Sequence, residues 1–222
     1  MKIPKCFSIF SAVFYLSLSC GIALSGLHAQ SCSGPVTLST QAEVDAFGPC
    51  SVILGDLIIS GSDITDLTPL STLEEVQGEL LIQSNDSLLT LDGLGGITEI
   101  GGFLDILSNS RLEDISGLSQ LTKVNGNIRI QLNPTLDVLT GFDALTEIQG
   151  YLTVALNASL DTLGGFQALQ KVGSNVSIVK NDYLKAVPAF QTLDTIGGSC
   201  VYEENGNSVG VVDTMRFMPE VK

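Results

Sequence analysis

From Gly78 onward the hydrophobic positions of this chain return every 24 residues. The blocks begin at Gly78, Gly102, Gly126, Gly150, Ser174 and Gly198, and the first reads GELLIQSNDSLLTLDGLGGITEIG. Leu80, Leu104, Ile128, Leu152, Val176 and Cys200 form one apolar column, and Ile82, Ile106, Ile130, Val154, Ile178 and Tyr202 form a second, two residues later. Alternation of that kind predicts a short strand with every other side chain turned inward. Five further columns, headed by Leu88, Leu91, Leu94, Ile97 and Ile100, follow at intervals of three. That interval suits tight coils with one inward side chain per corner. A helix of 3.6 residues per turn drifts off it, and the glycine pairs Gly95-Gly96 and Gly164-Gly165 argue further against one. A shorter rung precedes the blocks, from Gly55 through Leu57 and Ile59, with Ser62 at the position the asparagine takes in later rungs.

A repeat of this length cannot bury its own apolar face, so the pattern predicts a solenoid whose core is shared between stacked rungs. The fold class expected is all-β, a parallel β-solenoid of 24-residue repeats over residues 55–206. Seven rungs about 4.8 Å apart would make a body roughly 30 Å long.

Asn85, Asn109, Asn133, Asn157, Asn181 and Asn205 recur in every block. An asparagine at one corner of each rung predicts a structural ladder, its amides bonding the turn backbone and the rungs on either side. Asn85, Asn157 and Asn175 also begin N-x-S acceptor sequences for N-glycosylation. Rungs that lack the acceptor sequence keep the asparagine, which favours the ladder for Asn85 and Asn157 and leaves Asn175 as the candidate acceptor.

The segment 30–54 reads as an N-terminal cap. Thr40 and Glu43 have capping-box spacing, opening a short capping helix through Phe47 that Gly48-Pro49 ends. Cys32 and Cys50 flank the unit, and in an exported chain a disulfide between them is favoured over two free thiols. Cys200 falls in the inward column with Leu80 and Val176 and is expected to be a buried, inert thiol. Residues 207–222 carry Val211, Val212, Met215, Phe217 and Met218, and read as a C-terminal cap or the start of an extension.

The first 29 residues have the order of a secretory signal peptide: Lys2 and Lys5, then an apolar run from Cys6 to Leu24, then small residues. An uncleaved membrane anchor and a lipoprotein attachment at Cys20 are the competing readings, the second weakened by the poor lipobox Ser17-Leu18-Ser19. The expected location is therefore secreted or cell-surface. No later stretch is apolar and long enough to span a bilayer as a helix.

Removing this segment takes away the chain's one histidine, His28, and leaves 8 basic against 24 acidic side chains, a formal charge of −16. Nucleic acid is excluded as a partner, since phosphate binding needs clustered lysine and arginine. Without histidine there is no Ser-His-Asp or Cys-His arrangement and no histidine metal ligand. The adjacent acids Glu74/Glu75, Glu113/Asp114 and Glu203/Glu204 read as solvated surface, not as a glycosidase pair facing across a cleft. The stretch from Glu203 to Asn207 offers oxygen ligands for calcium but matches neither the EF-hand loop nor the β-roll repeat. No catalytic residue, metal or cofactor is expected.

Two motifs carry a resemblance. Cys32 to Ile59 follow C-x-G-x-V-T-L-S-T-Q-A-E-V-D-A-F-x-x-C-x-x-I-x-G-D-L-x-I, and the blocks follow G-x-L-x-I-x-x-N-x-x-L-x-x-L-x-G-L/F-x-x-L-x-x-I. Together they resemble the receptor L-domain family, leucine-rich-repeat relatives found in the ectodomains of insulin and epidermal growth factor receptors, in fungal cell-wall glycoproteins and in exported bacterial proteins. The likeness spans Cys32 to about Asn205 and is nearest in style to the bacterial members. It implies a right-handed L-domain solenoid and an exported binding or structural module. Hormone reception does not transfer, because no cysteine-rich module, membrane span or kinase accompanies the repeats.

The outward strand positions are the place to look for a partner. They read Leu81, Asp105, Arg129, Thr153, Ser177 and Val201 in one column, and Gln83, Leu107, Gln131, Ala155, Val179 and Glu203 in the next. Asp105 and Arg129 are placed to pair across adjacent rungs. Leu107, Ala155 and Val179 would form an apolar patch suited to a protein or cell-surface component. With Leu81 and Gln131 these residues make the candidate partner face, on which no aromatic residue is expected. The function expected is an exported, non-enzymatic recognition or adhesion module. A structural envelope or matrix protein is the alternative, and a carbohydrate-active enzyme the third.

Overall fold

The computed structural model describes residues 30–206. The expected signal peptide with Cys6, Cys20 and His28, and the expected C-terminal cap, lie outside the described residues. Within them the chain is a parallel β-solenoid. Short strands with β-branched and leucine side chains stack rung on rung into two eight-stranded parallel sheets. The wide sheet is built from Val36–Leu38, Leu57–Ile59, Leu80–Gln83, Leu104–Leu107, Ile128–Gln131, Leu152–Ala155, Val176–Val179 and Cys200–Glu203. The narrow sheet consists of two-residue strands, among them Glu99–Ile100, Lys123–Val124 and Glu147–Ile148. A third corner holds one small pair, Val138–Leu139 with Thr162–Leu163. Leu80 aligns with Leu104, Ile128, Leu152, Val176 and Cys200. A register slip of one residue would turn the whole apolar set to solvent, so the inward columns hold the stack in phase.

Those columns fill the interior: Leu88, Leu91, Leu94, Ile97 and Ile100 are fully buried, as are their counterparts in the following rungs down to Leu169 and Val172. The core is not purely aliphatic. The column that begins with Leu70, Leu94 and Leu118 continues as Phe142, Phe166 and Phe190, and the first two rings stack 4.8 Å apart and the next two 5.5 Å apart. Stacking at rung spacing gives these rings an offset-parallel contact on top of their burial.

The N-terminal unit is a rung in its own right. Ser31–Cys32 pairs with Val52–Ile53 in the narrow sheet, and Val36–Leu38 pairs with Leu57–Ile59 in the wide one. Residues 30–54 thus belong to the solenoid and do not only cap it. Thr40 is the N-cap of the helix Gln41–Asp45, its hydroxyl accepting from the Glu43 N–H at 3.2 Å, while the Glu43 carboxylate accepts from the Ser39 N–H at 2.6 Å. The helix closes at Asp45 and not at Phe47, because Ala46 and Phe47 already bond back over a tightening last turn. Buried Val44 anchors it. Gln41 ties it to the next rung, donating to the Asp66 carbonyl at 2.9 Å and accepting from the Thr65 and Asp66 N–H groups at 2.8 and 3.0 Å. Cys32 and Cys50 form a disulfide with Cα atoms 5.9 Å apart.

The asparagines form a continuous ladder. Asn109 Oδ1 accepts from both the backbone N–H and the side-chain amide of Asn85, at 3.1 and 2.9 Å, and the same pair of bonds links Asn109 to Asn133, Asn133 to Asn157, Asn157 to Asn181 and Asn181 to Asn205. Each Nδ2 also donates one rung back, for example from Asn133 to the Ile106 carbonyl at 3.0 Å. The first contact of the ladder is not at Ser62: the Gly61 N–H donates to Asn85 Oδ1 at 2.9 Å. Gly61 has no room for a side chain, since a Cβ there would stand 2.2 Å from the Ser39 carbonyl oxygen.

The chain turns into each ladder position through a left-handed residue. Ser84, Ser108, Leu132, Leu156, Lys180 and Glu204 have φ between 53° and 59°, and none is glycine. Such a conformation costs about 1–2 kcal/mol per residue. The buried hydrogen bonds of the following asparagine hold it in place.

Two outcomes follow for stability. Asn133→Ala should lower the melting temperature, losing roughly 1–3 kcal/mol for each buried partner left unpaired; an unchanged melting curve would remove the ladder as a source of stability. At exposed Leu132, asparagine should be neutral or stabilising and valine destabilising by about 1 kcal/mol or more, because a β-branched side chain fits left-handed backbone poorly. Equal melting points for Leu132→Asn and Leu132→Val would contradict that account.

Candidate functional site

Strand alternation puts three columns of side chains on the outside of the wide sheet. Leu81, Asp105, Arg129, Thr153, Ser177 and Val201 align rung to rung in the central column. Gln83, Leu107, Gln131, Ala155, Val179 and Glu203 align in the column at the C-terminal ends of the strands. Both columns stand where the sequence places them, although their accessibilities differ.

Asp105 is only 5% exposed, and Arg129 lies over it. Arg129 Nε donates to Asp105 Oδ1 at 2.7 Å, and Nη2 donates to Oδ2. A two-pronged contact of this kind fixes the plane of the guanidinium. The Asp105 hydrogen bond holds Arg129 above its ordinary pKa, partial burial opposes it, and Tyr151 and Glu79 add smaller upward contributions. The expected pairing is therefore present.

Ala155 is 3% exposed. Its methyl group is too short to rise between Gln131 and Val179 on the neighbouring rungs, so it forms floor and not contact surface. The apolar character of that edge comes instead from Leu132 and Leu156, 48% and 43% exposed, next to partly exposed Leu107 and Val179. Leu132 and Leu156 are the left-handed residues just past their strands, and the positive φ swings them outward. Period-two reading stops at the strand end, so it misses them. Their signal in the sequence is a leucine immediately before a ladder asparagine.

A third outward column lies at the N-terminal ends of the strands: Glu79, Phe103, Asn127, Tyr151, Asn175 and Ser199. Their carbonyls accept from the first strand residue one rung back, as Phe103 does from the Leu80 N–H at 2.8 Å and Tyr151 from the Ile128 N–H at 2.8 Å. The two expected columns carry no aromatic residue, and this third one, outside them, does. Phe103 is 39% exposed and Tyr151 is partly exposed, with Asn127 between them. Continuing the alternation one step N-terminal of Asp105 and Thr153 would have found both.

Side chains of this column also bridge rungs. Asn127 Oδ1 accepts from the Tyr151 N–H at 3.0 Å, and Asn175 Oδ1 from the Ser199 N–H at 2.8 Å. Glycine in the next rung makes the space, since a Cβ on Gly150 would stand 2.0 Å from Asn127 Oδ1. Asn175 is exposed, whereas Asn85 and Asn157 are fully buried in the ladder.

The other candidates take structural places. Cys200 keeps its register with Val176 but is exposed, which corrects the expected burial. It sits on the last described strand, which has one neighbour in the wide sheet. Desolvation of its sulfur raises the thiol's pKa. Glu204 lies 3.7 Å from Lys180, and Asn205 ends the described ladder. Among the described residues no cluster of three or more His, Cys, Asp or Glu is placed to hold a metal. On the narrow sheet Glu99 and Lys123 pair at 3.0 Å, and that hydrogen bond, with one from Asn125, lowers the Glu99 pKa. No family model matches the chain, and no curated protein matches it in sequence.

The two kinds of ion pair should respond differently to mutation. Arg129→Ala leaves the Asp105 carboxylate buried without its partner and should cost about 1–3 kcal/mol, most of it recovered in the double variant that also carries Asp105→Ser. Lys123→Ala breaks an exposed pair and should cost at most about 1 kcal/mol. Denaturant melts of these three variants beside the unaltered protein test this, and equal losses for Arg129→Ala and Lys123→Ala would contradict it.

Proposed function

We propose that this protein is an exported, non-enzymatic recognition or adhesion module of the receptor L-domain kind, and that it meets a protein or cell-surface partner with the outside of its wide sheet. The observation that carries this reading is the make-up of that face. Between its two end strands the backbone is engaged in rung-to-rung bonding, which leaves side chains to supply the variable chemistry there. Those side chains are sorted into columns of different character: aromatic and amide at one edge, an ion pair in the centre, and the apolar corner of Leu107, Leu132, Leu156 and Val179 at the other. A rigid surface with ordered columns loses little conformational entropy on binding.

The absence of histidine after His28 supports a non-catalytic role, since no neutral-pH acid–base of the usual kind remains. The apolar run before Leu24 supports export. The motif from Cys32 to Ile59, with its disulfide, supports the L-domain reading.

A pull-down with the full chain from the surface fraction of its source cells tests the proposal. A captured protein should be lost with Leu107→Lys or Val179→Lys, each checked for an unchanged melting temperature. Capture that survives both substitutions would move the contact off this corner. Capture of nothing in either experiment would favour the structural matrix reading.

A further inference from the structure

The N-terminal edge of the wide face has a spacing of its own. Phe103 and Tyr151 stand two rungs apart in one outward column, which at the rung interval of a parallel sheet is about 10 Å. The phenyl ring of Phe103 reaches over the next rung: a Cβ on Gly126 would stand 2.2 Å from Phe103 Cδ1, so glycine there is what makes room for the ring. Between the two aromatic residues in the column sits partly exposed Asn127, whose Oδ1 accepts from the Tyr151 N–H at 3.0 Å. Alongside, in the central column, is the Arg129–Asp105 pair.

We infer that this edge is a binding site for an extended, neutral, β-linked glycan chain. In such a chain successive sugar rings are flipped, so alternate rings turn the same C–H-rich face to one side at a repeat close to two rungs of the sheet. One of those faces would stack on Phe103 and the next on Tyr151, while the equatorial hydroxyls along the edge of the chain would meet Asn127 and, alongside, Arg129. Aromatic faces favour C–H groups through dispersion and the ring quadrupole, and a few fixed polar groups set the register of the ligand.

Charge selects the class of glycan. The guanidinium of Arg129 is neutralised by Asp105, and Glu79 adds a negative charge at the same edge. With a formal charge of −14 over the whole chain, an acidic polysaccharide is repelled and an uncharged one is not. The inference rests on the wide sheet being a recognition face, but it does not use the apolar corner at the opposite edge.

Calorimetric titration of the full chain with cellohexaose, chitohexaose and the coiled α-linked maltohexaose tests it. At least one β-linked hexamer should bind about tenfold or more tightly than maltohexaose, and Phe103→Ala and Tyr151→Ala should each weaken that binding about tenfold. Tyr151→Phe should keep it, and so should Leu107→Lys, with melting curves confirming that every variant is folded. No binding to any of the three sugars, equal binding to all of them, or binding indifferent to both alanine substitutions would overturn the site. A protein captured through Leu107 and Val179 alongside no glycan binding would overturn the glycan site alone and leave the recognition face standing. Glycan binding lost with Phe103→Ala, when no protein is captured, would support the site and fail only the apolar corner.

Discussion

Every other feature of this molecule depends on the buried asparagine corner. A solenoid rung must turn sharply after its strand, and at that corner backbone N–H and C=O groups leave the sheet ladder and enter the core. Unpaired, each would cost on the order of 1–3 kcal/mol. One asparagine per rung meets the need, because its amide carries an acceptor and two donors at the right reach. The acceptor takes the N–H and amide of the asparagine in the preceding rung, and the donors reach that oxygen's counterpart in the next rung and a strand carbonyl one rung back. The corner also fixes where each strand ends, and hence which side chains lie on the face.

The corner explains a local conflict that propensity alone would disfavour. Leucine is a poor choice for left-handed backbone, yet Leu132 and Leu156 adopt it. Their strain is held by the ladder behind them, and it projects two large apolar side chains from the edge of the wide sheet's outer face. Stability and surface chemistry are set by the same turn. A similar economy appears at the other edge, where missing side chains at Gly126 and Gly150 make room for the Phe103 ring and for Asn127 to reach the next rung.

Much of this was legible in the sequence. The 24-residue period, the inward columns and the asparagine ladder are repeated six times over, and a signal of that redundancy survives individual exceptions such as Phe142 in a leucine column. The capping box and the disulfide were legible because each is set by short-range spacing. The face was read less well. Ala155 was placed on the surface by alternation and is buried by its taller neighbours; Cys200 was placed in the core by its column and is exposed on the last described strand. Phe103 and Tyr151 escape an alternation counted from the first inward residue of the strand, because they precede it.

The sequence by itself determined the repeat, the identity of the core and the chemistry of the corner, since each is carried by residue type recurring at one fixed period. Only the tertiary structure decided which outward side chains are accessible and which columns they join. That property depends on the residue 24 positions away in the next rung, on its height and on whether a next rung is there, and no reading along the chain measures it.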